Sequence, residues 1–377
     1  MNEFLTPISP ELRDFASQLD EFSLGRKIRF ELENPENAIV IIGVKENRDE
    51  IISVQTEVSF DGIRAQFYQL KFGNWHLPIY DLGDLEGGHS VRDTWYVFEK
   101  LQEEIFKKNS TLIIVGQNPG LIFSQYRALG TVLHKVNFTS IDNRFRLGDE
   151  KEGLSSQNYL SKIITTEPQL LFDYVHLGHQ TYFVAQEELD LMEELNFDVK
   201  RLGKLTEAME ESEPELRNSD MVAINLEAIQ FSDFKSTNLN SPNGFNSREI
   251  CSLARYSGIN NKVRSFGVYN YKAKNNMPDD LLMAEILWYF IEGKNSVREQ
   301  SDFENKEDFE IFHVQIPEQH LMFFHNMKTE QWWLGLNEPD DSEISARNMV
   351  PCSLKDYEDS LKGRIPDRWW KSFKKLY

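Results

Sequence analysis

Short β-branched and apolar runs recur along most of the chain, separated by stretches in which apolar residues return every three or four positions. The runs are 38–44 (AIVIIGV), 77–82 (LPIYDL), 111–116 (TLIIVG), 135–142 (KVNFTSID), 172–178 (FDYVHLG), 199–202, 221–227 (MVAINLE) and 263–271 (VRSFGVYNY). Several are apolar throughout, as strands covered on both faces must be. Helical spacing falls between them, at 91–108, 121–133, 157–165, 186–196, 247–257 and 279–293. The last begins after Pro278 with Asp279 and Asp280, acids suited to the positive end of the helix dipole, and Gly293 is expected to end it. Strand and helix alternating in this way predict a mostly parallel sheet with helices on both sides.

The texture changes near residue 300. The segment 296–310 (SVREQSDFENKEDFE) is charged and without period, and reads as a linker. Beyond it EIFHVQIP, HLMFFHN and EQWWLGL read as strands of a small β-rich unit, closed by RIPDRWWKSFKKLY. Two units are therefore expected, 1–300 and 301–377. The second holds Trp332, Trp333, Trp369 and Trp370, four of the chain's seven tryptophans, and from 355 to 377 it carries seven basic and four acidic residues. Paired tryptophans beside Arg368 suit interface anchors that would hold another protein; they equally suit the core of a small unit short of other large apolar residues.

Charge then narrows the partners. With 41 Lys and Arg against 61 Asp and Glu the formal charge is −20, which opposes a chain-wide grip on nucleic acid or an anionic membrane. The longest apolar stretch, 281–291, contains Glu285 and is well short of the ~20 residues of a membrane span. The amino terminus lacks the basic flank and apolar run of a secretion signal, and the two cysteines, Cys251 and Cys352, form no disulfide framework or thiolate cluster. A cytoplasmic protein is expected, with no nucleic acid bound and no membrane insertion.

Isolated candidates for chemistry carry little. EGGHS at 86–90 has the look of a catalytic Gly-Gly-His-Ser turn, but it follows the second strand, and His89 reads as a turn residue. His176 and His179 could share zinc only with a third ligand that the spacing does not supply, and His134, His313, His320 and His325 are scattered. Cys251 lies in a helical pattern, where a buried thiol is the plain reading.

Nine segments taken in order carry more. They are AIVIIGV, GIRAQFYQL (62–70), IYDLGDL (79–85), TLIIVGQNPGLIFSQYRAL (111–129), NFTSIDNRFRLGD (137–149), VAINLEAIQFSD (222–233), NSPNGFNSREICSLARYSG (240–258), FGVYNYKA (266–273) and LLMAEILWYFIEG (281–293). Over residues 35 to 295 this series resembles the ureohydrolase family of arginase, agmatinase and formiminoglutamase. The resemblance implies a three-layer α/β/α arginase-like fold with a mostly parallel sheet of about eight strands, to which the small carboxyl-terminal unit is added. It also implies a binuclear manganese centre, in which a bridging water is ionised for attack on a guanidinium or amidine carbon.

The residues at the family's ligand positions do not suit that chemistry. Where the family has His, Asp, His, Asp, Asp and Asp, this chain has Pro119, Asp142, Arg144, Arg146, Asn225 and Glu227, and Asn270 stands where the family has its substrate-pairing Glu. Proline offers no side-chain donor atom, and a guanidinium is always charged and repels a cation. No metal cofactor is therefore expected. Two carboxylates, Asp142 and Glu227, would face two arginines, Arg144 and Arg146, so that the cluster sums to zero as the family's four aspartates and two divalent ions do. These residues are read as a vestigial pocket in a catalytically inactive member that serves as a protein-binding or scaffold component. The alternatives are a formimidoylglutamase- or arginase-like hydrolase of C–N bonds in linear amidines, and a metal-independent binder of a small amino-acid-like ligand. Homo-oligomers are common in the family and are an expectation of the resemblance here.

Overall fold

The structure is a computed structural model, and it describes residues 4–31, 35–52, 56–272, 276–296, 306–317, 319–336 and 349–376. The central strands are β1 (Leu5–Thr6), β2 (Ile39–Lys45), β3 (Ile79–Glu86), β4 (Thr111–Gly116), β5 (Val136–Ile141), β6 (Leu171–His179), β7 (Asp198–Arg201), β8 (Met221–Asn225) and β9 (Ser265–Tyr269). Among the described residues these nine form one sheet in the order β1-β3-β2-β4-β9-β8-β5-β6-β7, parallel except for the two-residue edge strand β1. All eight runs expected from the apolar pattern are strands; β1 is too short to leave a period.

Side-chain alternation places an apolar layer on each face. In β2, Ile39 and Ile41 enter one core while Val40, Ile42 and Val44 enter the other, and β4 divides Ile113 and Val115 from Leu112 and Ile114 in the same way. The first core is covered by α1 (Pro10–Gln18), α2 (Asp61–Gln69), α9 (Ser247–Gly258) and α10 (Met277–Ser296), together with the short α7 (Leu202–Glu207) and α8 (Glu213–Arg217). The second is covered by α3 (Val91–Lys107), α4 (Leu121–Leu129), α5 (Tyr159–Thr165) and α6 (Gln186–Glu194). Three layers result, as expected.

Local signals set several boundaries. The EGGHS segment is a turn that ends in a helix cap: the Ser90 hydroxyl accepts from the Asp93 N–H, and Asp93 accepts in return from the Ser90 N–H. Gly293 does not end α10, which runs on to Ser296. It faces Gly258 where α9 and α10 cross, and a Cβ on Gly258 would lie 2.1 Å from the Phe290 carbonyl oxygen. Glycine is needed there for close backbone approach.

The expected linker lies mostly at 297–305, outside the described residues. Beyond it β10 (Phe309–Ile316), β11 (Gln319–Asn326), β12 (Gln331–Gly335) and β13 (Met349–Cys352) form an antiparallel sheet in chain order. Two helices follow, α11 (Leu354–Leu361) and α12 (Asp367–Leu376).

Of the two readings open for the tail tryptophans, packing within the small unit describes three of the four. Trp333 and Trp369 are buried, and the Trp369 indole N–H donates to the Gly335 carbonyl at 3.1 Å. Trp332 stacks on His325, Phe312 and Tyr357. Short strands bury little area, so large rings must supply the core. Trp370 stays 41% exposed.

The tail's basic residues are also engaged. Arg368 pairs with Asp356 at 3.0 Å and with Glu215 of α8 at 3.3 Å; Lys371 donates to Asp198 at 2.6 Å and to the Phe197 carbonyl at 2.9 Å; Lys375 pairs with Asp173 of β6. Reciprocally, Arg217 of α8 donates to the carbonyls of Trp332 and Cys352 and lies 4.4 Å from the Trp333 ring centre. The basic helix α12 thus covers the acidic edge made by β6 and β7. Replacing Lys371 with glutamate should set like charges face to face at a half-buried position and destabilise the protein by about 2 kcal/mol. A urea midpoint unchanged from wild type at low salt would contradict this clamp.

Candidate functional site

The carboxyl ends of β4, β9, β8 and β5 lie side by side, because those strands are consecutive in the sheet. Pro119 follows β4, Asn270 follows β9, Asn225 ends β8 with Glu227 just beyond, and Asp142 follows β5 with Arg144 and Arg146 in the next loop. Four separated parts of the sequence therefore meet at one edge, the usual location of sites in open α/β sheets.

Asp142 is fully buried and stands at the centre. Its Oδ1 accepts from the Asn143 backbone N–H at 2.7 Å and from Arg146 Nη2 at 3.0 Å; its Oδ2 accepts from Arg146 Nε at 2.9 Å and from Asn225 Nδ2 at 2.8 Å. A carboxylate has about four lone-pair positions, and all are filled. Arg146 Nη2 also reaches Glu227 Oε2 at 2.9 Å, so one guanidinium, itself 2% exposed, bridges both carboxylates. Burial alone would lower the pKa of Arg146, but Asp142 and Glu227 raise it above the usual guanidinium range. Asn225 Oδ1 accepts from Asn270 Nδ2 at 2.8 Å and from the Glu227 N–H, which closes the network. Asn270 adopts φ 72°, a left-handed conformation that asparagine tolerates better than most residues.

Two of the sequence candidates stand apart. Pro119 is buried in the β4–α4 turn, which Asn118 holds by donating to the Asn47 and Arg48 carbonyls and accepting from the Gly120 N–H. Arg144 does not face Asp142 or Glu227; its guanidinium lies 4.5 Å from the Phe183 ring centre. The expected pairing of two carboxylates with two arginines is thus corrected to one arginine. The chain bends at Asn143 and Arg144, and alternation of faces ends where the strand ends. Glu227 has a second cation nearby in Lys272, whose amine burial pushes down while Glu227 pulls it back up. Asn143 also belongs to the site, donating to the Glu227 carbonyl at 2.8 Å. Neither Asn143 nor Lys272 occupies a metal-ligand position of the family, so the resemblance gave no reason to single them out.

His176 and His179 sit behind this cluster on β6, their rings 6.0 Å apart and both against Phe145. Both His176 nitrogens are used. Nε2 lies 3.1 Å from the Asp142 carbonyl and must donate, which leaves Nδ1 to accept from Tyr174 Oη at 2.9 Å. Burial pushes His176 down to about 3 and His179, helped by Arg201, to about 4. These folded values lie below that of an unfolded histidine, so the stability they affect is intact above about pH 6.5 and is lost as pH falls toward 3. His176 should account for roughly 3 kcal/mol of that loss by about pH 4. Asp220, pushed up to about 6 by burial, acts in the opposite sense between pH 4 and 6. The informative quantity is therefore the difference between wild type and His176→Gln in denaturant midpoints from about pH 7 to 4. Parallel curves would refute the assignment.

A divalent metal does not fit this arrangement. A cation would need lone pairs of Asp142 that four donors already occupy, and it would have to displace a guanidinium held between the only two carboxylates of the cluster. Among the described residues no group of three His, Cys, Asp or Glu side chains is placed to hold a metal ion.

A second buried ion cluster joins α2 to β3 and β2, nearer the β1 edge of the same sheet. Arg64 of α2 donates through Nε to Asp81 at 3.0 Å and pairs through Nη2 with Asp84 at 2.7 Å; Tyr68 Oη donates to Asp81 at 2.8 Å, and Lys45 pairs with Asp84 at 3.0 Å. Arg64 also donates to the carbonyl of Gly83, where φ is +88° and a Cβ would lie 2.1 Å from the Thr6 carbonyl. This cluster fastens α2, β3 and β2 together.

No protein-family model matches the sequence, and no curated protein is similar to it at a significant level. Solved structures are similar in fold. Formimidoylglutamase from Bacillus subtilis superposes with a TM-score of 0.65 at 13% identity, over 73% of this chain and 93% of that one. Formiminoglutamase from Trypanosoma cruzi, solved with Mn²⁺, gives 0.64 at 14%, over 74% and 99%. The agmatine ureohydrolase of Thermoplasma volcanium gives 0.57 at 16%, over 77% and 98%. The likeness covers nearly the whole of each of those chains, and the strand order, the two apolar layers and the converging strand ends together establish that this chain has the arginase-like ureohydrolase fold.

Proposed function

We propose that this chain is a ureohydrolase-fold protein without metal-assisted hydrolytic activity, serving as a protein-binding or scaffold component. The observation that carries the reading is the saturation of Asp142 and its bridging to Glu227 by Arg146. A fixed guanidinium supplies positive charge but no vacant coordination position, so it cannot ionise a water as a metal does. Support for a binding role comes from the tail helices, which leave Leu354, Leu361 and Trp370 exposed.

The test is an assay for urea release from arginine and agmatine, and for glutamate and formamide release from N-formimino-L-glutamate, with Mn²⁺ supplied. No turnover above buffer is expected; turnover that depends on Mn²⁺ and disappears in Asp142→Asn would sink the reading. For the binding role, affinity capture with wild type and Trp370→Ala should differ in what is retained. Identical captures would remove α12 from the binding surface.

A further inference from the structure

A cavity of about 400 Å³ opens at the carboxyl ends of β6 and β7, next to Asn143, whose carbonyl accepts from the backbone N–H of Gln180 in the cavity lining. It is lined by His179 and Gln180 from β6 and the turn after it, Arg201 at the end of β7, Asn243 in the loop before α9 and Glu249 in its first turn. Its size and its position along the strand ends suit a small ligand.

The lining is unsatisfied in a specific way. His179 and Gln180 are 5% and 4% exposed, yet His179 Nδ1 and Gln180 Oε1 have no hydrogen-bond partner. A buried polar atom without a partner costs about 1–3 kcal/mol, so such atoms call for a ligand or an ordered water. The Gln180 amide has a defined orientation, because Nε2 donates to the Asn243 carbonyl at 2.9 Å. Oε1 is therefore left as an acceptor that requires an N–H or O–H from outside the protein. Arg201 supplies the opposite property: it is exposed at the rim, and among the described residues its guanidinium makes no ion pair. Glu249 also lines the cavity, one carboxylate oxygen taken by the Asn246 N–H. A cation and a carboxylate in one lining favour a dipolar ligand over a simple anion.

We propose that this cavity binds a small carboxylate that also carries an amide or amine N–H, with the carboxylate held by Arg201 and the N–H donated to Gln180 Oε1. The site shares no side chain with the Asp142 cluster, and it stands whether or not that cluster is inactive. Its place beside Asn143 gives an occupant a route to the cluster, since the Gln180 N–H donates to the Asn143 carbonyl at 2.9 Å.

Calorimetry and ligand-observed NMR on the full chain test this with three probes. N-acetylglycine carries both groups, propionate only the carboxylate, and N-methylacetamide only the N–H. N-acetylglycine should bind in the millimolar range, and each partial probe about tenfold or more weaker. Arg201→Gln alters an exposed side chain without an ion-pair partner and should leave folding intact. It should weaken N-acetylglycine about tenfold and remove its advantage over N-methylacetamide. Gln180→Met should remove its advantage over propionate. Should Gln180→Met fail to fold, the comparison of N-acetylglycine with propionate on wild type still reads the acceptor. Absence of N-acetylglycine binding throughout the millimolar range, equal binding of all three probes, or binding unaffected by Arg201→Gln would each overturn the proposal.

Discussion

Replacing Arg146 with alanine should destabilise the protein by about 3–5 kcal/mol at neutral pH, because it leaves Asp142 and Glu227 facing each other without their shared cation. Asp142 would lose two of four donors and keep only the Asn143 N–H and the Asn225 amide. A further outcome follows if Arg146 stands in for a metal ion. Millimolar Mn²⁺ should restore at least about 1 kcal/mol to the alanine variant by binding its folded state, and should leave wild type unchanged. Denaturant midpoints measured with and without Mn²⁺ read both effects. If Mn²⁺ raises wild type and variant equally, the guanidinium does not take the place of a cation.

The second large effect lies at the ion cluster between α2 and β3. Arg64→Leu should also cost about 3–5 kcal/mol, since Asp81 and Asp84, both within 5% exposure, would be left with Lys45 as their remaining cationic neighbour. Lysine at this position should recover only part of the loss, because one ammonium cannot reach Asp81, Asp84 and the Gly83 carbonyl as the forked guanidinium does. Here the outcome bears on the fold alone. Metal should not rescue it, and the tail helices should remain docked as judged by the environment of Trp370. A fully stable Arg64→Leu protein would show that α2 is held by its apolar face, through Ile63, Phe67 and Tyr68, rather than by the ion cluster.

Several features of the site were legible in the chain. β2, β4, β5, β8 and β9 announce themselves because strands covered on both faces have nowhere to put polar side chains, and their ends follow where polar residues resume. Asp142, Asn225, Glu227 and Asn270 could be placed at one sheet edge on that basis together with the family resemblance. Arg144 and Arg146 could not be told apart. Both follow Asp142 at even intervals, which would put them on one face if the strand continued; instead the chain bends at Asn143 and sends Arg144 onto Phe183. Lys272, which takes part of the role expected of Arg144, lies 128 positions further along and is brought to Glu227 only by the end of β9.

The tail shows the same division. Its basic excess and its tryptophans were visible, but Coulomb attraction has no fixed direction, and composition does not say whether the acid it meets lies on another chain or on this one. Packing decides. The tail sheet is too small to bury itself without Trp333 and Trp369, and α12 brings Arg368, Lys371 and Lys375 to Glu215, Asp198 and Asp173.

The amino-acid sequence by itself determined the layered α/β body and the residue types set at its strand ends, because periodicity and donor chemistry are properties of the residues. Only the tertiary structure decided which cation neutralises Asp142, that Arg368, Lys371 and Lys375 of the tail meet acids of this same chain, and that an unsatisfied cavity lies beside the Asp142 cluster. Each of these depends on where side chains separated by tens to hundreds of positions come to rest, and that is set by packing across the whole molecule.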